Sequence, residues 1–124
     1  METNYGGIKV NVRKIQELFE LEIAAGQSGL DREVKGCYCG DLLSDVMGNA
    51  PSNSLWLTVQ SHQNILAVAV LRELAGIILV NSVVPDEETE QKAQDENIPI
   101  LRSPLPAYQL AGELYVLGIG RTEA

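Results

Sequence analysis

The residues with the strongest claim on chemistry are one histidine, two cysteines and a few hydroxyls and amides set between apolar runs. His62, the only histidine, stands in VQSHQN, with Ser61 before it and Gln63 and Asn64 after it. A serine beside a histidine suggests a nucleophile activated by a base. Adjacent residues in a chain, however, rarely face each other productively. No G-x-S-x-G elbow, no G-x-x-x-x-G-K-S/T phosphate loop and no G-x-G-x-x-G fingerprint occurs. His62 is therefore expected to line a pocket or cap a helix, and neither ATP hydrolysis nor protein-kinase activity is expected.

Cys37 and Cys39 lie two apart. In a strand, residues i and i+2 point to one face, so a disulfide between them would be strained. With His62 they could supply three soft ligands for zinc, but the spacing is not that of a zinc finger and no fourth ligand is evident. Both thiols are expected in the core as small apolar groups, with no metal and no cofactor.

The elements that must position these residues follow from apolar periodicity. Asn11 is expected to cap a first helix carrying Val12, Ile15, Leu18 and Phe19 at helical spacing. A short strand over 21–25 and another over 33–39 follow, and Asp41 is expected to cap a helix ending near Met47. Strands and helices then alternate: strand 55–60, helix 64–74, strand 77–80, helix 86–96, strand 98–102, and a last helix ending near Gly118. A frayed tail is expected over 119–124. Apolar strands alternating with helices predict an α/β domain, a mainly parallel sheet with helices on both faces.

In such sheets ligands bind beyond the carboxyl ends of the strands. Those ends are Ser61, His62, Gln63 and Asn64, then Asn81 and Ser82, then Arg102 and Ser103. They are the candidate ligand-binding residues. Each group precedes a helix N-terminus, whose free N–H groups favour a polar or anionic ligand. Trp56 faces opposite to Leu55 and Leu57 and is expected in the core or an interface.

The helix containing ILAVAVL, residues 65–71, is apolar on every side and expected to be buried on every side. A sheet covers one face only. The first helix could cover the other, but a second copy of the chain is favoured, giving a homodimer with the helix over 64–74 at its interface.

The chain has 124 residues, enough for one domain with a sizeable core. Its net charge of −8 argues against nucleic acid and anionic membranes. The longest apolar run is too short to span a bilayer and no secretory leader is evident, so a reduced, cytoplasmic setting is expected.

Three segments carry a family resemblance: LDREVKGCYCGDLLSDVM, AVAVLRELAGIILVNSVVPDEE and IPILRSPLPAYQLAGEL. Taken together, over about residues 30–118, they resemble a stand-alone DRTGG domain, the module similar to the N-terminal domain of HPr kinase/phosphorylase. Related modules sit beside CBS domains in some pyrophosphatases and within phosphotransacetylases. Where many relatives carry Asp-Arg before the apolar helix, this chain has His62 and Gln63. Where they carry Thr-Gly-Gly after the GIIL strand, it has Asn81, Ser82 and Val83. The resemblance implies a non-catalytic regulatory module that senses a small ligand or docks a partner protein, since in the relatives other domains do the chemistry. It also favours a homodimer. Two alternatives remain from the residues: a small enzyme of transferase type using His62, or a thiol-based redox sensor using Cys37 and Cys39.

Overall fold

The computed structural model describes residues 10–121. Helix α1 (Val12–Leu18) is followed by β1 (Glu22–Ala25), a short 3-10 turn (Gln27–Gly29) and β2 (Gly36–Cys39). The alternating part comprises α2 (Leu43–Asn49), β3 (Ser54–Thr58), α3 (Asn64–Leu71), β4 (Gly76–Leu79), α4 (Glu87–Glu96), β5 (Ile100–Arg102) and α5 (Ala107–Leu117).

One five-stranded sheet has the order β1-β5-β4-β3-β2. Strands β2 to β5 run parallel, each beside its predecessor, and β1 closes the far edge antiparallel to β5. This is the mainly parallel α/β sheet that the alternation predicts. β3 and β4 are buried at every position, as strands covered on both faces must be.

The period-two alternation of the strands divides the interior into two cores. Leu55, Leu57, Ile78 and Leu101 pack with Val12 and Ile15 of α1 and Leu110 and Leu114 of α5. Trp56, Ile77, Leu79 and Ile100 turn the other way, against Val46 of α2, four residues of α3 and Ala93 of α4. The three helices that cross between successive parallel strands thus share one face, and α1 and α5 cover the other. Trp56 is wholly buried, and its indole N–H donates to the Gly40 carbonyl at 2.8 Å.

Several local expectations change. Asn11 caps α1 as expected, its side chain accepting from Lys14 N at 2.9 Å. Asp41 does not cap α2: its Oδ1 accepts from Thr58 Oγ1 at 2.7 Å and Val59 N at 2.9 Å, so it joins β3 to the loop after β2. The strand near Glu33 is only an isolated bridge to Asn11, and β2 proper begins at Gly36. Helix α3 stops at Leu71, because Glu73 has a positive φ of 54° that turns the chain toward β4. The chain after Gly118 is not frayed at its start. Ile119 is 2% exposed within the α1/α5 core, and its N–H donates to Leu114 O; residues 122–124 lie outside the described ones. At Gly26, φ is +73° and a Cβ would come within 2.0 Å of Ile98 O, so only glycine fits where the chain after β1 passes the start of β5.

Candidate functional site

The parallel strands β2 to β5 bring Gly40–Asp41, Val59–Asn64, Asn81–Ser82 and Arg102–Ser103 to one end of the sheet. The candidate residues named from the sequence fall there into two groups.

The first group closes a pocket of about 230 Å³ lined by Glu20, Glu22, Ser82, Arg102, Ser103 and Pro104. Its centre is Arg102. The guanidinium donates through Nε to Val83 O, through Nη2 to Ser82 O, and through Nη1 to Glu22 Oε1, each at 2.8 Å. Those bonds hold an unusual turn, in which Asn81 and Ser82 both have positive φ, 56° and 58°. Two successive non-glycine residues in the left-handed region carry strain of about 1 kcal/mol or more each, which persists only where surrounding bonds over-determine it. Here the surroundings do so: Asn81 N donates to Leu105 O, Ser82 N to Ser103 O, and Ser103 Oγ accepts from Leu105 N.

The second group, Ser61 to Asn64, forms the β3–α3 connection and does not line that pocket. Ser61 O accepts from Thr89 Oγ1 at 2.6 Å and from Asp86 N at 3.2 Å, which ties the connection to the start of α4. The exposed His62 ring accepts from Asn64 N through Nδ1 at 3.2 Å. His62 is thus a cap on the first turn of α3, satisfying an N–H that the helix itself cannot. Its ring is spent on the backbone and not on the hydroxyl of Ser61.

Three exposed apolar residues also stand at this end of the sheet: Leu42 after β2, Val59 after β3 and Val84 after β4. Periodicity did not single them out: Leu42 and Val59 read as part of a helix and a strand that in the structure begin after and end before them. Glu20, Glu22 and Pro104 were missed for a different reason. Glu20 and Glu22 reach the pocket only because β1 pairs antiparallel with β5, a neighbour 80 residues away in sequence for Arg102 and Glu22.

The cysteines part company. Cys37 packs partly buried against the α1/α5 core, whereas Cys39 is exposed at the end of β2, not in the core as expected. Alternation places both thiols on one face of the strand. A hydrogen bond with Cys37 lowers the Cys39 thiol to about 7, against desolvation, which pushes it up. The same contact and burial raise the Cys37 thiol. Among the described residues, no three His, Cys, Asp or Glu side chains gather as a metal site.

Two further depressions lie away from the strand ends. A polar one of about 410 Å³ includes Arg32, Asn53, Glu73 and Glu96. An apolar groove of about 910 Å³ runs along the outer surface of α1 and α5 past Leu18, Phe19, Tyr108, Gly112 and Tyr115. Among the described residues no helix is long and apolar enough to cross a membrane.

Neither a protein-family model nor a curated protein matches the sequence. In fold the chain is similar to a solved structure, the CBS and DRTGG domains of the regulatory region of Clostridium perfringens pyrophosphatase, complexed with its activator diadenosine tetraphosphate. The TM-score is 0.65 at 14% identity, over 94% of this chain and 54% of that one. The chain therefore spans about half the length of the structure it matches, and what the two share is an α/β fold of the kind found in that regulatory region.

Proposed function

We propose that this chain is a non-catalytic regulatory module of DRTGG type, related to the N-terminal domain of HPr kinase/phosphorylase, that senses a small polar or anionic ligand at the strand ends and works as a homodimer in the cytoplasm. The observation that carries the reading is the strained Asn81–Ser82 turn clamped by Arg102 over a pocket. Strain held in place beside a cavity is characteristic of ligand clamps and switch regions. The fold likeness to a regulatory region supports it, and so does the use of His62 as a helix cap.

The pocket's size and charge narrow the ligand. About 230 Å³ accepts a phosphoryl or carboxylate group with a small body, not a whole dinucleotide. Arg102 has donated three of its five N–H groups, and its bond to Glu22 involves a carboxylate whose side chain is 63% exposed. An anionic ligand would take the place of Glu22 on Nη1 and loosen the β1 edge from the turn, which is a route from binding to a change of shape. The long-range repulsion of a −8 chain is screened beyond ~8 Å at physiological ionic strength and leaves such a site workable.

A thermal-shift screen tests this with inorganic phosphate, acyl phosphates, coenzyme A derivatives and diadenosine tetraphosphate. Stabilisation by a phosphate-bearing compound is expected, together with binding up to about fivefold tighter in Glu22→Gln, where the competing exposed ion pair is weakened. Binding that is indifferent to Glu22→Gln and Arg102→Met would remove the pocket from the account. Labelled ATP with Mg²⁺ tests the absence of catalysis; steady turnover lost in His62→Ala would restore the enzyme reading.

A further inference from the structure

Helix α5 contains a glycine that the single chain does not need. Gly112 lies in the middle of the helix, its φ is not positive, and a Cβ built there meets nothing within 4 Å. Glycine at such a position costs about 1 kcal/mol of helix stability relative to alanine. Neither a turn nor a close internal approach explains that cost.

The surroundings of Gly112 supply an explanation. Tyr108, one turn before it, is 93% exposed, and Tyr115, three residues after it, is 55% exposed; both share its helix face. Leu18 of α1 adds 43% exposure beside them. Together they line the groove of about 910 Å³, a large apolar surface with a gap at its centre where a backbone can approach closely.

The charge distribution says what comes to it. In a chain of net charge −8, α1 and α5 together carry Arg13, Lys14, Glu17 and Glu113, two of each sign. Helix α4, on the opposite face, carries five acidic residues against one lysine. A basic partner would be drawn to α4. Arg121 also stands over the Tyr115 ring at 5.6 Å, so the α1/α5 face carries no acidic excess and two copies of this acidic chain can meet there without bringing their charge together.

We infer that α5 packs against α5 of a second copy across a two-fold axis, the helices crossing at Gly112, with Tyr108 and Tyr115 flanking the crossing. An isologous contact of this kind uses one self-complementary patch on both subunits. The inference takes two-fold assembly from the proposed function and moves its surface. Helix α3, expected at the interface, is flanked by α2 and α4 and leaves only Ala67, Val70 and Leu71 as an apolar outer face.

Sedimentation or light scattering from 1 to 200 µM reads the outcome on wild type, Gly112→Arg, Gly112→Ala and Val70→Arg. Wild type is expected at twice 13.5 kDa, and Val70→Arg likewise. Gly112→Arg is expected as a monomer with its circular dichroism unchanged, its dimer dissociation constant raised by at least about thirtyfold. Gly112→Ala separates assembly from folding: unfolding of the diluted, monomeric chain moves to higher temperature while the dimer weakens. A dimer that survives Gly112→Arg and is lost in Val70→Arg would place the interface on α3 and overturn the inference. A wild-type monomer throughout would overturn both the surface and the assembly, assign the groove to another segment or protein, and leave ligand sensing standing. Should Gly112→Arg fail to fold, an alanine variant that stabilises the chain without weakening the dimer would be contradiction enough.

Discussion

The strand-end rim and the outer face of α5 are opposite kinds of surface. At the rim a network of polar groups is already engaged: Asp41 with Thr58 and Val59, Gln60 with Asp41, Ser61 with Thr89, Arg102 with Val83, Ser82 and Glu22. On α5, Tyr108 and Tyr115 present large rings to solvent around a glycine that fills no internal need. The rim's hydrogen bonds hold a strained shape, so changes there are expected in stability and, under the proposed function, in binding. The outer α5 face adds little inside the subunit beyond the stacking of Arg121 on Tyr115, so changes there are expected mainly in what the subunit meets.

The largest expected effect in breaking this contrast comes from Asp41→Ala. It removes two bonds and leaves the O–H of Thr58, a residue 1% exposed, without its acceptor, although the Thr58 oxygen still accepts from Gln60 N, so the chain loses about 2 kcal/mol in urea unfolding. A loss below about 0.5 kcal/mol would mean that the rim is not held as described. Arg102→Met comes next, at about 1–2 kcal/mol, because three acceptors lose a partner but two of them can turn to water. Its second effect is loss of anion binding, which Asp41→Ala leaves in place.

Ser82→Gly should act in the other direction. It relieves a left-handed φ of 58° at some cost in chain entropy, for a net gain of about 0.5 kcal/mol. A net loss would show that the serine hydroxyl, and not the backbone shape, is what the turn requires. On α5, Tyr108→Ala, read on the monomer, should change unfolding free energy by less than about 0.5 kcal/mol. An effect as large as that of Arg102→Met would erase the distinction between the two surfaces.

The cysteines give a pH-dependent version of the same contrast between exposed and packed groups. With the Cys39 thiol lowered to about 7, its thiolate fraction, and hence its alkylation by iodoacetamide, rises through that pH. Below it the protonated thiol reacts slowly. Cys37, raised by burial and its partner, should remain unlabelled across the same range. Mass spectrometry of the labelled peptide separates the two, and equal labelling of both would remove the distinction.

Much of this was legible in the sequence where a residue's environment is set by its own neighbours. GIILV is continuously apolar, as a strand covered on both faces must be, and the parallel alternation put Ser61, Asn81, Ser82, Arg102 and Ser103 at one end. What was not legible depends on partners remote in the chain. Nothing near Arg102 announces that Glu22 will meet it, because β1 enters the sheet beside β5 and not beside β2. The uniform apolarity of α3 suggested burial all round. Packing between α2 and α4 buries Ile65, Leu66, Val68 and Ala69, and Ala67, Val70 and Leu71 face outward from the single chain. Asp41 looked like a helix cap by position, but a buried threonine hydroxyl 17 residues on, at the end of the neighbouring strand, had the stronger need of its carboxylate.

The most direct test of the central claim is an amide chemical-shift titration of the ¹⁵N-labelled protein with inorganic phosphate and with acetyl phosphate. The account predicts saturable shifts confined to Glu20, Glu22, Asn81, Ser82, Arg102 and Ser103, abolished in Arg102→Met. Shifts centred instead on Arg32, Asn53 and Glu73, or persisting in Arg102→Met, would contradict it.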